Sequence, residues 1–302
     1  DEVEYKGRLE LSALLKKRLG SNRLVADVVL HPTEVVIRDT AWTISEASIR
    51  IDSVLQIDRF ALQHGRQSIR AAGVISASAD DLLLLDLRNV QLGYVFDAVN
   101  FHSVDFDGQA TGRARLASLL SQPKIDAEVH VRNFLFNGAP MGDLDIKSGF
   151  HAAEDVVPID ALIKSKEKLV TSVRGEVRPK RKGLDLRIGA QGCEIGFIQP
   201  YVEGILSRFQ GKATGDFHLS GGFKSLQLEG KGLADAGFRV DVLGTNFHVK
   251  DTVYVSPTQF ALRNAFITDG EGHQGRVTAR MNHTHFKQFS YNLQLDAENM
   301  LL

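Results

Sequence analysis

Apolar and polar residues alternate along much of this chain, and the alternation restricts its fold more than any other feature. In the range 125–132 every second residue is apolar, and charged or polar residues lie between them. The ranges 184–188, 238–242 and 291–297 show the same pattern. A period of two puts apolar side chains on one face of a β-strand and polar side chains on the other, which is typical of antiparallel sheets.

The second constraint is an internal repeat. The sequence GQATG at 108–112 recurs as GKATG at 211–215, and Gly73, Gly175 and Gly275 recur at a similar spacing. We interpret these matches as about three copies of a unit of roughly 100 residues. The second and third copies begin near 91 and 194, which gives approximate repeat units of 1–90, 91–193 and 194–302.

Together these patterns predict an all-β fold. We expect one elongated, repetitive antiparallel β-sheet over the whole chain, 1–302, with few short helices. The range 12–19, SALLKKRL, predicts one helix, because a Ser precedes the apolar spacing and Gly20 follows it. The ranges 93–100 and 198–209 are weaker helical candidates at equivalent points of two copies.

Composition excludes several functional classes. The chain has 302 residues, 43% hydrophobic and 24% charged, with a net charge of −1, so it lacks the basic excess of a nucleic-acid surface. Cys193 is the single cysteine, so neither an intrachain disulfide nor a cysteine-based zinc site is possible. The longest apolar run, 82–85, is too short to span a membrane, and we interpret the chain as a piece of a longer protein.

No motif in the sequence predicts catalysis or a cofactor. The range 270–275 matches the dinucleotide pattern GxGxxG, but a strand-like alternation follows it, so we predict a hairpin loop. His283 and His285 could share one strand face, but a third metal ligand is missing nearby. We therefore predict that both are solvated loop histidines, and we expect a protein without enzymatic activity, metal or cofactor.

Several stretches resemble a known family. They include the strand residues at 39–44, 57–60 and 73–75, the sequence LRNVQLGYVF at 87–96 and the sequence FNGAPMGDL at 136–144. With them the chain resembles the repeating body of the AsmA-like proteins, and most closely the TamB subunits of the translocation and assembly module in Bacteroidetes. The resemblance implies a folded β-sheet with an apolar groove, often called a β-taco. It also implies a periplasmic position between an inner-membrane anchor and an Omp85-type barrel of a Gram-negative outer membrane.

We therefore expect a periplasmic bridge that supports phospholipid transport and protein assembly in the outer membrane, with phospholipid acyl chains as its ligands. The Omp85-type partner would bind through regions outside this chain. The predicted groove residues are Ile125, Val129, Val131, Leu184, Leu186, Ile188, Phe217, Leu219, Val240, Val242, Leu293 and Leu295.

Alternation alone leaves a second interpretation open. A structural or adhesive β-repeat whose core is filled by its own side chains would bury the same face. A carbohydrate-active β-solenoid enzyme is disfavoured, because the recurring residues on one face are apolar rather than carboxylates.

Overall fold

A computed structural model describes residues 5–17, 24–37, 40–45, 47–94, 105–165, 170–297 and 300. Within these residues the chain forms 21 strands, and every strand pairing is antiparallel. The predicted fold class, an antiparallel β-sheet with few short helices, is confirmed. Two compact units divide the chain: the first comprises Asp1–Arg132 and Asp145–Val157, the second Asn133–Leu144 and Pro158–Leu302.

The first unit contains a sheet that branches at one strand. Strand β7 pairs along one edge with both β5 and β6, which begin the branches β5–β4–β1 and β6–β3–β2. Its other edge continues through β8 and β9 to β10. The strands are β1 (Tyr5–Gly7), β2 (Leu11–Lys17), β3 (Leu24–Leu30), β4 (Thr33–Ile37), β5 (Thr40–Ile44), β6 (Ala47–Ile51), β7 (Leu55–His64), β8 (Gln67–Ile75), β9 (Leu82–Gln91) and β10 (Phe106–Ala117).

Residues of β11 (Lys124–Phe136) and β12 (Ala139–His151) are divided between the two units. In the second unit, each strand from β14 to β21 pairs with the next strand in sequence. The strands that follow β12 are β13 (Val157–Lys164), β14 (Val170–Arg178), β15 (Gly183–Glu194), β16 (Leu206–Gly222), β17 (Ser225–Val240), β18 (Thr245–Ser256), β19 (Gln259–Asp269), β20 (Gln274–Thr284) and β21 (Lys287–Ala297).

A recurring β-bulge gives the repeat a structural basis. Asn89 and Gly192 both have a left-handed backbone, with φ of 49° and 60°. The N–H of Asn89 donates to the Thr111 hydroxyl over 3.1 Å, and the N–H of Gly192 donates to the Thr214 hydroxyl over 3.0 Å. Each hydroxyl therefore satisfies a backbone donor that the bulge removes from the strand ladder.

The glycines of the repeated sequence are also equivalent in geometry. Gly108 and Gly211 have φ of 132° and 147°, which only glycine adopts readily. A Cβ at Gly112 would lie 2.3 Å from the Glu128 carbonyl oxygen, and one at Gly215 would lie 2.3 Å from the Lys231 carbonyl oxygen. The two stretches therefore have the same role. The Thr hydroxyl accepts the hydrogen bond of the bulge N–H, and the last Gly lets the neighbouring strand approach closely.

The predicted helix at 12–19 is wrong. Leu11–Lys17 is strand β2, which pairs with β3 along its full length, and the Lys16 ammonium lies 3.0 Å from the Asp27 carboxylate. Residues 18 and 19 lie outside the described residues. A helix of two turns is marginal on its own, so a complete ladder with a neighbouring strand outweighs the local propensity.

The weaker helical candidates are partly confirmed. Residues 92–94 are helical, and 95–100 lie outside the described residues. At the equivalent point of the next copy, a 3₁₀ turn (Gly196–Ile198) leads into helix α1 (Gln199–Val202), and residues 206–209 belong to β16 instead. We call residues 196–202 the helical cap. In the described part of the chain, the helices lack the length and apolar character needed to span a membrane.

Candidate functional site

Eight of the predicted groove residues share one face of the second unit's sheet, which we call the apolar face. Leu186 on β15 lies directly opposite Leu219 on β16, and Ile188 lies opposite Phe217. Since directly opposed residues of an antiparallel pair project to the same side, the cross-strand registers place the others on this face too. These are Leu184 on β15, Val240 on β17, and Leu293 and Leu295 on β21.

The opposite side of the same strands, the polar face, carries cross-strand contacts between polar and charged side chains. The Asp185 carboxylate lies 2.9 Å from His218 Nε2, and the Asp235 carboxylate lies 3.0 Å from Lys250 Nζ. Hydrogen bonds from Lys250 and then His248 lower the pKa of Asp235 below its usual value. The alternation predicted from the sequence therefore separates apolar and charged side chains in this unit.

The apolar face is sealed at one end and accessible elsewhere. A fully buried cluster lies under the helical cap and comprises Ile195, Ala236, Phe247, Val249, Ala265, Ile267 and Val277. Phe197 and Ile198 of the cap pack against this cluster, and so do Val240 and Leu295. On β15 and β16, by contrast, Leu184, Leu186, Ile188, Phe217 and Leu219 are only half-buried.

The side-chain amide of Gln199 attaches the helical cap to strand β16. Its nitrogen donates to the Leu206 carbonyl over 2.9 Å, and its oxygen accepts the Phe209 N–H over 2.7 Å. Pro200 occupies the first turn of α1, where a missing N–H costs nothing. The cap is therefore held by specific hydrogen bonds as well as by apolar packing.

Two glycines flatten the apolar face beside Phe217. A Cβ at Gly230 would lie 2.8 Å from Phe217 Cδ1, and one at Gly232 would lie 2.9 Å from its Cζ. The aromatic ring therefore lies across β17 in the space that two side chains would otherwise fill. At these two positions the surface of the face is therefore the aromatic ring itself.

In the first unit, Ile125, Val129 and Val131 occupy alternate positions of β11. Val131 is fully buried, whereas Ile125 and Val129 are half-buried. The charged and polar residues between them, Asp126, Glu128 and His130, are exposed, and the Glu128 carboxylate lies 3.1 Å from Lys147 Nζ. The predicted orientation of this strand is confirmed.

The structure corrects one predicted groove residue and qualifies another. Val242 is 89% exposed and lies in the turn after β17, so the expectation that it points inward is wrong. Strand β17 ends at Val240, so the alternation that continues to Val242 in the sequence does not correspond to a strand face. Leu293 lies on the apolar face opposite Ala279 but is 65% exposed, because β21 pairs only with β20 among the described strands.

His283 is a buried residue that the sequence did not reveal. The prediction of a solvated loop histidine is wrong for His283, which is 4% exposed, although His285 is exposed. Its ring stacks on Phe286 with the centroids 4.9 Å apart and also contacts Phe260. Nδ1 accepts the Phe286 N–H over 3.2 Å, while Nε2 has no hydrogen-bond partner among the described residues. Burial, and then the nearby His285, lower the pKa of His283, which favours the neutral ring.

The GxGxxG stretch is a hairpin loop, as predicted. It connects β19 to β20, and Asp269 organises it from the end of β19. One carboxylate oxygen of Asp269 accepts the N–H groups of Glu271 and His273, each over 2.9 Å. The other oxygen lies 2.9 Å from His273 Nδ1. The loop therefore satisfies its own polar groups.

Cys193, the single cysteine, lies in a partly enclosed position. Burial raises the pKa of the Cys193 thiol, which keeps it protonated and weakly nucleophilic. Within the described ranges, no three His, Cys, Asp or Glu side chains lie close enough together to hold a metal ion. The second unit's sheet therefore presents an apolar face on one side and charged side chains on the other.

Comparisons with protein-family models, with curated proteins and with solved structures give no match for this chain.

Proposed function

We propose that the apolar face binds the acyl chains of phospholipids, and that this chain belongs to a periplasmic bridge of the AsmA-like, TamB type. The bridge would support phospholipid transport to the outer membrane and protein assembly there. The inner-membrane anchor and the contact with an Omp85-type barrel would lie in regions outside this chain. The role is one of binding and conduction rather than catalysis.

The observation that carries the proposal is the accessibility of the apolar face on β15 and β16. A sandwich filled by its own side chains buries its inward residues fully, as the cluster under the helical cap does. Leu186, Ile188, Phe217 and Leu219 retain contact with solvent instead. Apolar surface left open in this way is typical of binding sites for apolar ligands.

The chemistry of this surface suits an acyl chain. Each methylene that leaves water for an apolar surface contributes about 0.8 kcal/mol when it is fully buried, and less on an open face. Phe217 lying over Gly230 and Gly232 removes steps that would hold a chain in one place. The carboxylates of Asp185 and Asp235 lie on the opposite face, where they do not meet the ligand.

Site-specific photocrosslinking tests the proposal. A photoreactive benzoylphenylalanine is placed at Leu186, on the apolar face, and at Arg187, the adjacent residue on the polar face. The protein is then illuminated with vesicles of phosphatidylethanolamine and phosphatidylglycerol, and crosslinked lipid is identified by mass spectrometry. We expect lipid adducts from position 186 and none from position 187.

The alternative of a self-filled β-repeat gives a different result. A folded protein without adducts at position 186 would support the filled core and overturn the lipid path. Equal adducts at both positions would indicate nonspecific contact with the vesicle and would also overturn it. Circular dichroism of both variants establishes that the sheet is intact.

A further inference from the structure

The polar face of the second unit contains one patch that departs from its usual composition. Leu233 on β17, Tyr254 on β18 and Phe266 on β19 are large apolar residues on this face, and all three are exposed, Leu233 by 47% and Phe266 by 52%. Leu233 is opposite Thr252, which is two residues from Tyr254 on the same face of β18, and Tyr254 is opposite Ala261. Phe266 lies farther along β19, opposite Arg276. We call these residues, with the cations described next, the arginine–aromatic patch.

Four cations belong to the patch: Lys231, Arg263, Arg276 and Arg280. On the same face, the Arg174 guanidinium lies 3.0 Å from the Asp160 carboxylate. Among the described residues, the four cations of the patch form no ion pair. Asp216 and Asp296 stand opposite Lys231 and Arg276 in the strand register without pairing with them. Glu229 is also exposed, two residues from Lys231 on the same face, so four cations lie among three carboxylates.

Two of the arginines are held by aromatic rings instead. The Arg263 guanidinium carbon lies 4.3 Å from the centre of the Tyr254 ring, and that of Arg276 lies 3.4 Å from the centre of the Phe266 ring. Arg276 also donates to the Asn264 carbonyl over 2.9 Å. Stacking fixes both guanidinium planes before any ligand arrives, which lowers the entropy cost of binding a carboxylate.

A shallow groove of about 860 Å³ adjoins these side chains. Its lining includes Lys231, Leu233, Tyr254, Arg263 and Asp216. A groove that runs across strands and offers both aromatic surface and cations suits an extended peptide with alternating acidic and apolar side chains. Tyr and Arg are enriched among the residues that dominate protein–protein binding energies, whereas scattered surface charges contribute little.

We propose that the arginine–aromatic patch binds an acidic polypeptide segment of a partner protein, independently of the lipid path on the opposite face. A protein partner fits better than nucleic acid, because four cations among three carboxylates do not form the long basic stripe that phosphate backbones require. The carboxylates of the partner would pair with the stacked guanidinium groups, and its apolar side chains would cover Leu233 and Tyr254.

Fluorescence anisotropy tests this surface with a labelled synthetic peptide in which Glu alternates with Leu and Tyr. We expect the double variant Arg263→Ala/Arg276→Ala to bind it about tenfold more weakly, a loss of about 1.4 kcal/mol. Arg276→Lys keeps the charge but loses the planar stacking. Its affinity for the peptide should therefore fall between that of the parent protein and that of the double variant. The matched control Arg174→Ala removes a paired arginine of the same face and should bind like the parent protein.

Several outcomes would overturn the proposal. One is equal affinity for a peptide with Gln in place of every Glu; another is unchanged binding by the double variant, or an equal loss in Arg174→Ala. Phosphatidylglycerol vesicles or single-stranded oligothymidylate serve as competing ligands in the same assay. If either binds with the same dependence on Arg263 and Arg276 while the acidic peptide does not, the patch recognises phosphates rather than a protein.

Discussion

Replacing Leu186 by Glu would put a carboxylate in the middle of the apolar face. Leu186 lies on β15 between Leu219 on one neighbouring strand and Gly175 on the other. Because the residue is half-buried, the carboxylate can still reach water when lipid is absent. A fully buried leucine contributes about 1.5–3 kcal/mol, so the free energy of unfolding should fall by roughly half of that amount.

The cost is larger when an acyl chain covers the site. An ionised carboxylate pressed against hydrocarbon must be desolvated or protonated, which costs several kcal/mol. A penalty of only about 1.4 kcal/mol lowers lipid occupancy tenfold. We therefore expect the copurifying phospholipid of Leu186→Glu to drop at least about tenfold at alkaline pH, while the sheet remains folded.

The measurement is the phospholipid-to-protein ratio after extraction, determined by mass spectrometry at several pH values. Contact with lipid raises the pKa of the introduced carboxyl group, so lowering the pH should protonate it and restore part of the lipid. Leu186→Gln is the uncharged control, and its smaller loss should not depend on pH. Arg187→Glu introduces the same charge on the polar face and should retain lipid normally. Full lipid occupancy in Leu186→Glu, or an equal loss in Arg187→Glu, would refute the reasoning.

Three further predictions concern stability. The pKa of His283 in the folded protein lies below the value of about 6.5 that it has in the unfolded chain. The contribution of His283 to the free energy of unfolding should therefore be complete above about pH 6.5 and be lost as the pH falls below it. Denaturant titrations at several pH values should show a weaker loss of stability at low pH in His283→Phe and an unchanged loss in His285→Gln. The same pH dependence in the parent protein and both variants would contradict the assignment of this loss to His283. Replacing Thr111 or Thr214 by Val removes the acceptor of a bulge N–H that water can still reach, so each change should lower the free energy of unfolding by about 0.5–1.5 kcal/mol. Urea unfolding measures both, and a loss in only one would argue against equivalent roles. Gly215→Ala forces a Cβ to within 2.3 Å of the Lys231 carbonyl oxygen, so overpacking should cost about 1–3 kcal/mol or more in the same assay. A Gly204→Ala control has open space around its Cβ and loses only from its φ of 84°, so an equal loss there would show that crowding is not the cause.

The sequence predicted the strand faces well wherever a strand is long and regular. Ile125 to Val131 and Leu184 to Ile188 lie as the alternation indicates, because a one-residue slip would turn every apolar side chain into water. Val242 was assigned wrongly because alternation does not show where a strand ends. A turn residue and a strand residue can continue the same pattern.

The remaining errors arise from contacts between residues distant in sequence. Strand β2 takes its structure from pairing with β3, which overrides a helical spacing that is visible locally. His283 is buried because Phe260 and Phe286 close around it from a neighbouring strand and from the following turn. Its two flanking aromatic residues were visible in the sequence, but their convergence depends on the register between β19 and β20.

The bulges at Asn89 and Gly192 each shift the alternation of apolar and polar residues by one position. On β15, even-numbered residues up to Ala190 lie on the apolar face, and after Gly192 the odd-numbered Cys193 takes that position opposite Ala213. A single inserted or deleted residue in a regular stretch would move the rest of the strand's side chains to the opposite faces. At a bulge the extra residue is accommodated locally, so its gain or loss leaves the faces of the following residues unchanged. Copies of the unit can therefore drift in length by a residue at these points, and every downstream side chain still faces its proper medium.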